Sequence, residues 1–195
     1  MANIFEDCVE RIFYCWVDHD LFIANHNYTI GSFTSSNFDP AKNDDHVMFI
    51  PNENFSQVIS PFQMRLLNNY MAEYNLELSR RQYFKHYPSR LVAIFLFDSE
   101  SEANVYRDRN FDHVGKRILR KAKTVNRYVY SKHDSSWVDF FRLWGTKDKE
   151  TINNSCKCYW QGIAVKDCEL LHCGSKWSQG AIFEILYYGR IDFIK

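Results

Sequence analysis

Glycine and proline are scarce in this chain, with seven Gly and four Pro among 195 residues. That scarcity excludes collagen-like, low-complexity and linker-rich architectures. No apolar run reaches the roughly 18 residues that suggest a membrane span, and the first ten residues lack the basic stretch of a signal peptide. The expectation is a cytoplasmic protein that meets no membrane. Six cysteines without a leader read as reduced thiols rather than a disulfide framework. Catalytic signatures are missing as well: no GxxxxGK(S/T) phosphate loop, no GxGxxG after a strand, no HExxH and no GxSxG elbow. Their absence weighs against the enzyme classes that carry them. Aromatics, by contrast, are plentiful. Sixteen Phe, twelve Tyr and five Trp imply a large aromatic core and argue against disorder. With no internal repeat or linker, the chain reads as one domain over residues 1–195.

The formal net charge is zero, but it is unevenly spread. Residues 1–60 carry nine acidic and two basic side chains, whereas residues 107–132 carry nine basic and two acidic ones. Two readings of the basic stretch stand side by side. It is either a solvated helix face balancing the acidic N-terminal third or a docking strip for phosphate-bearing ligands, with Lys116, Arg117, Arg120 and Lys121 at its centre.

The hydrophobic pattern is that of a mixed chain. Residues 11–17 are a β-branched and aromatic run, read as a strand. Residues 25–54 are rich in Asn, Ser, Asp and Gly and read as loop with short strand pieces. Pro61 opens a helix whose apolar positions recur at helical spacing through Tyr74. Residues 91–97 form an apolar run read as a buried central strand, followed by a helix that Ser99 or Ser101 can cap. Residues 125–130 read as a strand and 148–161 as a helix. Two apolar runs, 181–188 and 191–194, flank Gly189 and predict two strands joined by a tight turn. Strands near both ends with helices between them indicate an α+β fold.

Two groups invite chemistry. Cys156, Cys158, Cys168, His172 and Cys173 fall within 18 residues. Structural zinc sites, however, favour cysteine pairs two to four residues apart in the C-x2–4-C sense, and Cys156 and Cys158 on a helix project to nearly opposite sides. Free thiols are expected, and no metal. Glu184 is the second group. It lies in Ile182-Phe183-Glu184-Ile185-Leu186-Tyr187-Tyr188, apolar on both faces, where an unpartnered carboxylate costs several kcal/mol. It is either a strand-edge Glu paired with an Arg or a site carboxylate.

Three segments in order resemble the ADP-ribosyltransferase superfamily. Ile12-Phe13-Tyr14-Cys15-Trp16 is similar to its opening strand. Residues 93–106, from Ala93-Ile94-Phe95 through Asp98-Ser99-Glu100 to Val105-Tyr106, resemble its strand-then-helix segment. Phe183-Glu184-Ile185-Leu186-Tyr187-Tyr188-Gly189 is similar to the late strand that presents its Glu. Tyr87-Pro88-Ser89-Arg90-Leu91 and Tyr159-Trp160-Gln161-Gly162 resemble an uncharacterised bacterial branch of that fold.

The resemblance implies split antiparallel β-sheets with flanking helices and transfer of ADP-ribose from NAD+ to a macromolecular acceptor. It further implies a toxin or phage-defence effector, with an antitoxin as partner. The family's His-Tyr-Glu triad becomes Cys15, Phe95 and Glu184, so two of three positions depart from the pattern. Glu184 is then the catalytic carboxylate, stabilising the oxocarbenium-like sugar and holding the ribose 2′-hydroxyl. Phe95 would stack on nicotinamide, Cys15 would stand where the family's His meets the adenosine ribose, and Tyr14, Ser89 and Arg90 would supply the remaining NAD+ contacts. Ser89 and Arg90 also have a plainer reading, as the start of a strand with Arg90 reaching off its end. Tyr159 and Trp160 read first as core residues of an amphipathic helix. The basic stretch favours RNA or DNA over protein as acceptor. The alternative function is a non-catalytic protein of this fold, or one that binds nucleic acid through residues 107–132.

Overall fold

The computed structural model describes residues 3–20, 22–34, 61–142, 149–168, 171–172 and 175–194. The fold is α+β, built on a six-stranded antiparallel sheet, with β6 (Leu171–His172) and β7 (Ser175–Lys176) paired in a separate two-stranded sheet. Two long strands, β5 (Ile118–Asp134) and β8 (Phe183–Phe193), pair along its middle. β2 (Ile12–Val17) and β1 (Ile4–Asp7) share the outer edge of β5, covering its first and second halves. β4 (Ile94–Leu96) and β3 (Ser32–Thr34) share the outer edge of β8 in the same way. The sheet then curls until its edges meet. Tyr14 and Phe97 exchange two backbone hydrogen bonds of 2.9 and 2.7 Å, joining β2 to the end of β4.

That curl needs a bend in the central pair, and the sequence provides one. Register slips between Val125 and Val129 on β5, where Asn126 adopts a left-handed φ of 62°. Opposite, Gly189 sits at φ 149°, and a Cβ there would come within 2.8 Å of the Tyr128 Cβ. Gly189 is therefore a close-approach residue inside one continuous strand, not the turn between two strands that its flanks suggested.

The curled sheet encloses Phe13, Leu96, Tyr128, Ile185 and Tyr187. Alternate residues of β8, among them Leu186, face a helical layer. That layer comprises α2 (Pro61–Tyr83), α5 (Ser136–Arg142) and α6 (Lys149–Trp160), which bury Leu76, Trp137, Tyr159 and Trp160. Both indoles are satisfied inside the core, Trp160 donating to the Leu76 carbonyl at 2.8 Å and Trp137 to the Ile163 carbonyl at 2.7 Å. Buried Asp134 ends β5 and pins the layer to the sheet, accepting from the backbone N–H of Ser136, Val165 and Ile182 at 3.0–3.1 Å.

Three further expectations change. Residues 25–30 belong to a helix, α1 (Phe22–Ile30), because Ala24 and Tyr28 pack on the sheet core and Gly31 (φ 89°) ends the helix by donating to the Asn27 and Tyr28 carbonyls. Tertiary packing overrides the low helix propensity of Asn and Thr there. The rest of the expected loop, 35–54, lies outside the described residues. The run 91–97 is an edge strand of only three residues. It is apolar on both faces because Ile94 and Leu96 enter the core while Phe95 lines a cavity. Finally, the strand expected at 125–130 is the middle of a 17-residue strand whose exposed lysines masked its alternation. The helix before it, α3 (Glu100–Arg109), is capped by Ser99, which accepts from the Glu102 N–H at 3.1 Å. A short α4 (Phe111–Val114) connects it to β5. No helix of the described residues is long and apolar enough to cross a membrane.

Candidate functional site

Glu184, at the start of β8, is almost wholly buried, and its two hydrogen-bond partners come from two other parts of the chain. Arg90, in the turn between α2 and β4, donates through Nη1 to Glu184 Oε1. Tyr159 on α6 donates to the same oxygen at 2.9 Å and accepts from Arg90 Nη1 at 2.7 Å. Arg90 also grips Glu73 on α2 with two prongs, Nε to Oε2 at 2.7 Å and Nη2 to Oε1 at 3.0 Å. Arg142 approaches Glu73 at 3.9 Å. One buried guanidinium thus holds two carboxylates, a cross-link between sheet and helices.

The electrostatics follow from that count of charges. Burial pushes the Glu184 carboxyl above the ordinary range, Arg90 and Tyr159 pull it back, and the charge of Glu73 pushes it up again. Burial works against the charge on Arg90, but Glu184 and then Glu73 outweigh it and keep the guanidinium ionised. Glu73, despite its burial, is held below the usual carboxylate range by Arg90. Within the Glu184 carboxylate, Oε1 takes both hydrogen bonds. Oε2 makes none among the described residues and is the oxygen left for a ligand.

Beside this triad lies a cavity of about 500 Å³. Its lining joins five residues singled out from the sequence: Cys15 on β2, Arg90, Phe95 on β4, Arg117 and Glu184. The Arg90 guanidinium stands 5.1 Å from the Phe95 ring centroid, and that ring is 38% exposed, open to a stacked ligand. Burial pushes the Cys15 thiol up to about 12, so it is protonated and inert, a space-filling group with weak hydrogen-bonding capacity.

The other sequence-derived residues are placed elsewhere. Tyr14 and Ser89 do not line the cavity. Tyr14 packs beside Phe97, Ala103 and Ile182. Ser89 is buried and bonds Glu77 Oε2 at 2.8 Å, completing an ion pair between Glu77 and Arg80, while its N–H donates to the Tyr188 hydroxyl at 2.6 Å. Its role is to fix the turn that carries Arg90.

The basic stretch is not one face. Arg120 and Lys121 are consecutive on β5 and point to opposite sides of the sheet. The Arg120 guanidinium lies 4.7 Å from the Tyr28 ring centroid and 3.3 Å from His19 Nε2. Lys116 and Lys121 are exposed, while Arg117 lines the cavity. Much of the remaining charge is matched by the acidic N-terminal strands and their surroundings: Lys123 with Glu10 at 3.3 Å, Arg127 with Glu6, Lys132 with Asp98, and Arg117 with Asp18 at 3.9 Å. The reading of 107–132 as a helix face is thus corrected to a strand, preceded by two short helices, that shares its charge with its neighbours.

Sequence reasoning missed Glu73, Tyr159 as a site residue, Arg142, His113 and Asp139, all of which line the cavity or hold its triad. Glu73 left a trace. It stands between Tyr70 and Tyr74 in α2, and Glu77 follows four residues on, so two acids lie along one side of a helix that packs in the helical layer. Among the described residues no group of three or more His, Cys, Asp or Glu is arranged to hold a metal ion, and Cys173 lies outside them. Compared with known proteins, the chain matches no family model and no curated protein.

Proposed function

We propose that this protein is an ADP-ribosyltransferase of the split-antiparallel-sheet type, which cleaves the nicotinamide–ribose bond of NAD+ and passes ADP-ribose to a macromolecular acceptor. One observation carries the reading. Cys15, Phe95 and Glu184, chosen from three segments far apart in sequence, converge on one cavity, and its volume is in the range of small-molecule sites.

In the proposed reaction nicotinamide stacks on Phe95 and the ribose lies over Glu184. Oε2 accepts a hydrogen bond from the ribose 2′-hydroxyl and faces the positive charge that grows as the glycosidic bond breaks. Nicotinamide leaves with the bonding electron pair, and an acceptor nucleophile attacks the opposite face of the sugar, releasing its proton to solvent. Arg90 and Tyr159 are positioning residues. They hold Oε1 so that Oε2 points at the sugar, and they replace the hydration that burial removes. The low-dielectric surroundings strengthen the attraction between carboxylate and oxocarbenium ion.

A second reading rests on that same pairing. With Oε1 bound to a guanidinium and a phenol, and with Cys15 and Phe95 lacking the hydrogen-bonding groups of the family triad, the cavity would bind NAD+ without cleaving it. Incubation with NAD+ labelled in its adenylate, and with separate pools of RNA, DNA and cell protein, decides between them. Transfer of label identifies the acceptor class, with nucleic acid expected from the exposed Lys116 and Lys121. Saturable binding of NAD+ with no nicotinamide released supports the non-catalytic reading.

A further inference from the structure

The cavity has basic groups that the proposed chemistry does not use. Arg90 is not available to an anionic ligand, because four hydrogen bonds tie it to Glu73, Tyr159 and Glu184. Arg117 is in the opposite state. It lines the same cavity, its side chain is one-third exposed, and its guanidinium makes no hydrogen bond among the described residues. Asp18 lies 3.9 Å from Nε, close enough to attract it and too far to bond. Arg142 and His113 line the cavity too, as do two partly exposed rings, Phe33 and Phe95.

We infer that Arg117, with Arg142 and His113, forms an anion subsite that takes the phosphate or pyrophosphate group of a nucleotide whose planar ring lies against Phe33 or Phe95. This requires binding alone, so it holds whether or not a glycosidic bond is cleaved. The planar fork of an arginine matches two oxygens of one phosphate, and at a partly desolvated site such charge-assisted bonds are about twice as strong as neutral ones. Three carboxylates line the cavity with these basic groups. Glu73 and Glu184 are held by Arg90, and burial pushes Asp139 upward, towards its neutral form.

His113 gives the subsite a distinctive readout. It faces the charges of Arg117, Arg142, Arg90 and Glu73, and the Tyr106 ring lies edge-on with its centroid 6.5 Å away. Burial, followed by the three arginines, holds the imidazole below its usual 6.5, so it is largely neutral near pH 7. A bound phosphate supplies the missing negative charge and raises that pKa, so binding takes up a proton.

The test is calorimetric titration at low salt and pH 7.5, where the terminal phosphate of ADP (second pKa about 6) is already ionised and contributes no proton of its own, with ADP, inorganic pyrophosphate and adenosine, repeated in buffers of different ionisation enthalpy. ADP should bind at least tenfold more tightly than adenosine, pyrophosphate should bind detectably, and ADP binding should take up protons. Arg117→Gln should weaken ADP at least tenfold and leave adenosine unchanged. Arg117→Lys should lose part of that factor, and Lys166→Gln, exposed and outside the cavity lining, should lose none. His113→Gln should abolish the proton uptake.

Equal affinities for ADP and adenosine, no binding of ADP, or an Arg117→Gln variant that binds ADP like the parent would overturn the subsite. The transferase reading fails separately. ADP binding that depends on Arg117 without NAD+ consumption retains the subsite and removes the transferase, and NAD+ consumption with an unchanged KM in Arg117→Gln does the reverse.

Discussion

Replacing Glu184 by Gln separates the function of this carboxylate from its contribution to stability. Gln has the same shape and keeps a carbonyl oxygen to accept from Arg90 and Tyr159. Arg90 retains its two-pronged pair with Glu73, so no buried charge is left uncompensated. The thermodynamic sign follows from the direction of the pKa. A carboxyl raised above its ordinary 4.5 by burial favours folding while it is protonated, below about that pH, and the contribution is lost as the pH rises through its folded value. Gln cannot ionise and suffers no such loss. Every tenfold weakening of Glu184 acidity on folding is worth about 1.4 kcal/mol, and in a chain of this size each kcal/mol shifts the melting temperature by roughly 2–4 °C. Glu184→Gln should therefore gain on the parent as the pH rises from 5 to 8, and at pH 7 should melt at the same temperature or a few degrees higher. On the proposed transferase reading, ADP-ribose transfer should fall by about 10²–10³, the effect of removing one charge-stabilising group. Melting curves of both proteins at pH 5, 6, 7 and 8, with a transfer assay at pH 7, make the comparison. A parental advantage that widens with pH would show that the Arg90 pair outweighs burial and that Glu184 is there for stability. Parental transfer by the variant would remove Glu184 from the chemistry.

Arg90→Met should behave in the contrary way, taking from Glu73 and Glu184 the guanidinium they share and leaving only Arg142 near the one and the Tyr159 hydroxyl on the other, at a loss of about 3–5 kcal/mol read as a large drop in melting temperature. Asp134→Asn can keep Oδ1 to accept from Ser136 and Ile182 but sets an NH2 donor against the Val165 N–H that Oδ2 accepts, and should lose about 1–3 kcal/mol in urea unfolding. In the native protein Cys8, which is exposed, should react with a maleimide well before Cys15 and Cys156, whose thiols burial pushes up to about 12, as mass spectrometry of tryptic peptides will report.

Some of this architecture was legible because local signals agreed with it. Pro61 and the spacing through Tyr74 announced α2, Ser99 announced the cap of α3, and the oddity of a Glu in an apolar strand announced Glu184. The misreadings have one physical origin, which is that distant contacts set the local outcome. Gly189 looks like a turn until Tyr128, sixty-one residues earlier, is seen to press against it. Residues 25–30 look like loop until Tyr28 is found with its ring centroid 5.2 Å from that of Phe193. The Arg90–Glu73 pair was hidden for the same reason: each residue is an ordinary charged side chain locally, and only the packing of α2 on the sheet makes them one unit. Lys123 and Arg127 helped residues 107–132 look like a charged helix face because their acidic partners lie more than a hundred residues away in sequence.

The position of β8 in the order of synthesis gives the sheet an assembly rule. β3, β4 and β5 all hydrogen-bond to β8, yet every one of them leaves the ribosome before it. Until residues 183–193 emerge, the earlier strands lack their common neighbour, β3 and β4 have no ladder to join, and the helical layer has no Leu186 to cover. Such non-local pairing is slow and leaves strand edges open to wrong partners, so the nascent chain depends on being shielded or on finishing quickly. Glu184 travels on that same strand. The carboxylate is thus delivered to the cavity by the event that closes the sheet, and a chain that stops short of β8 would lack both the wall of the cavity and its buried charge.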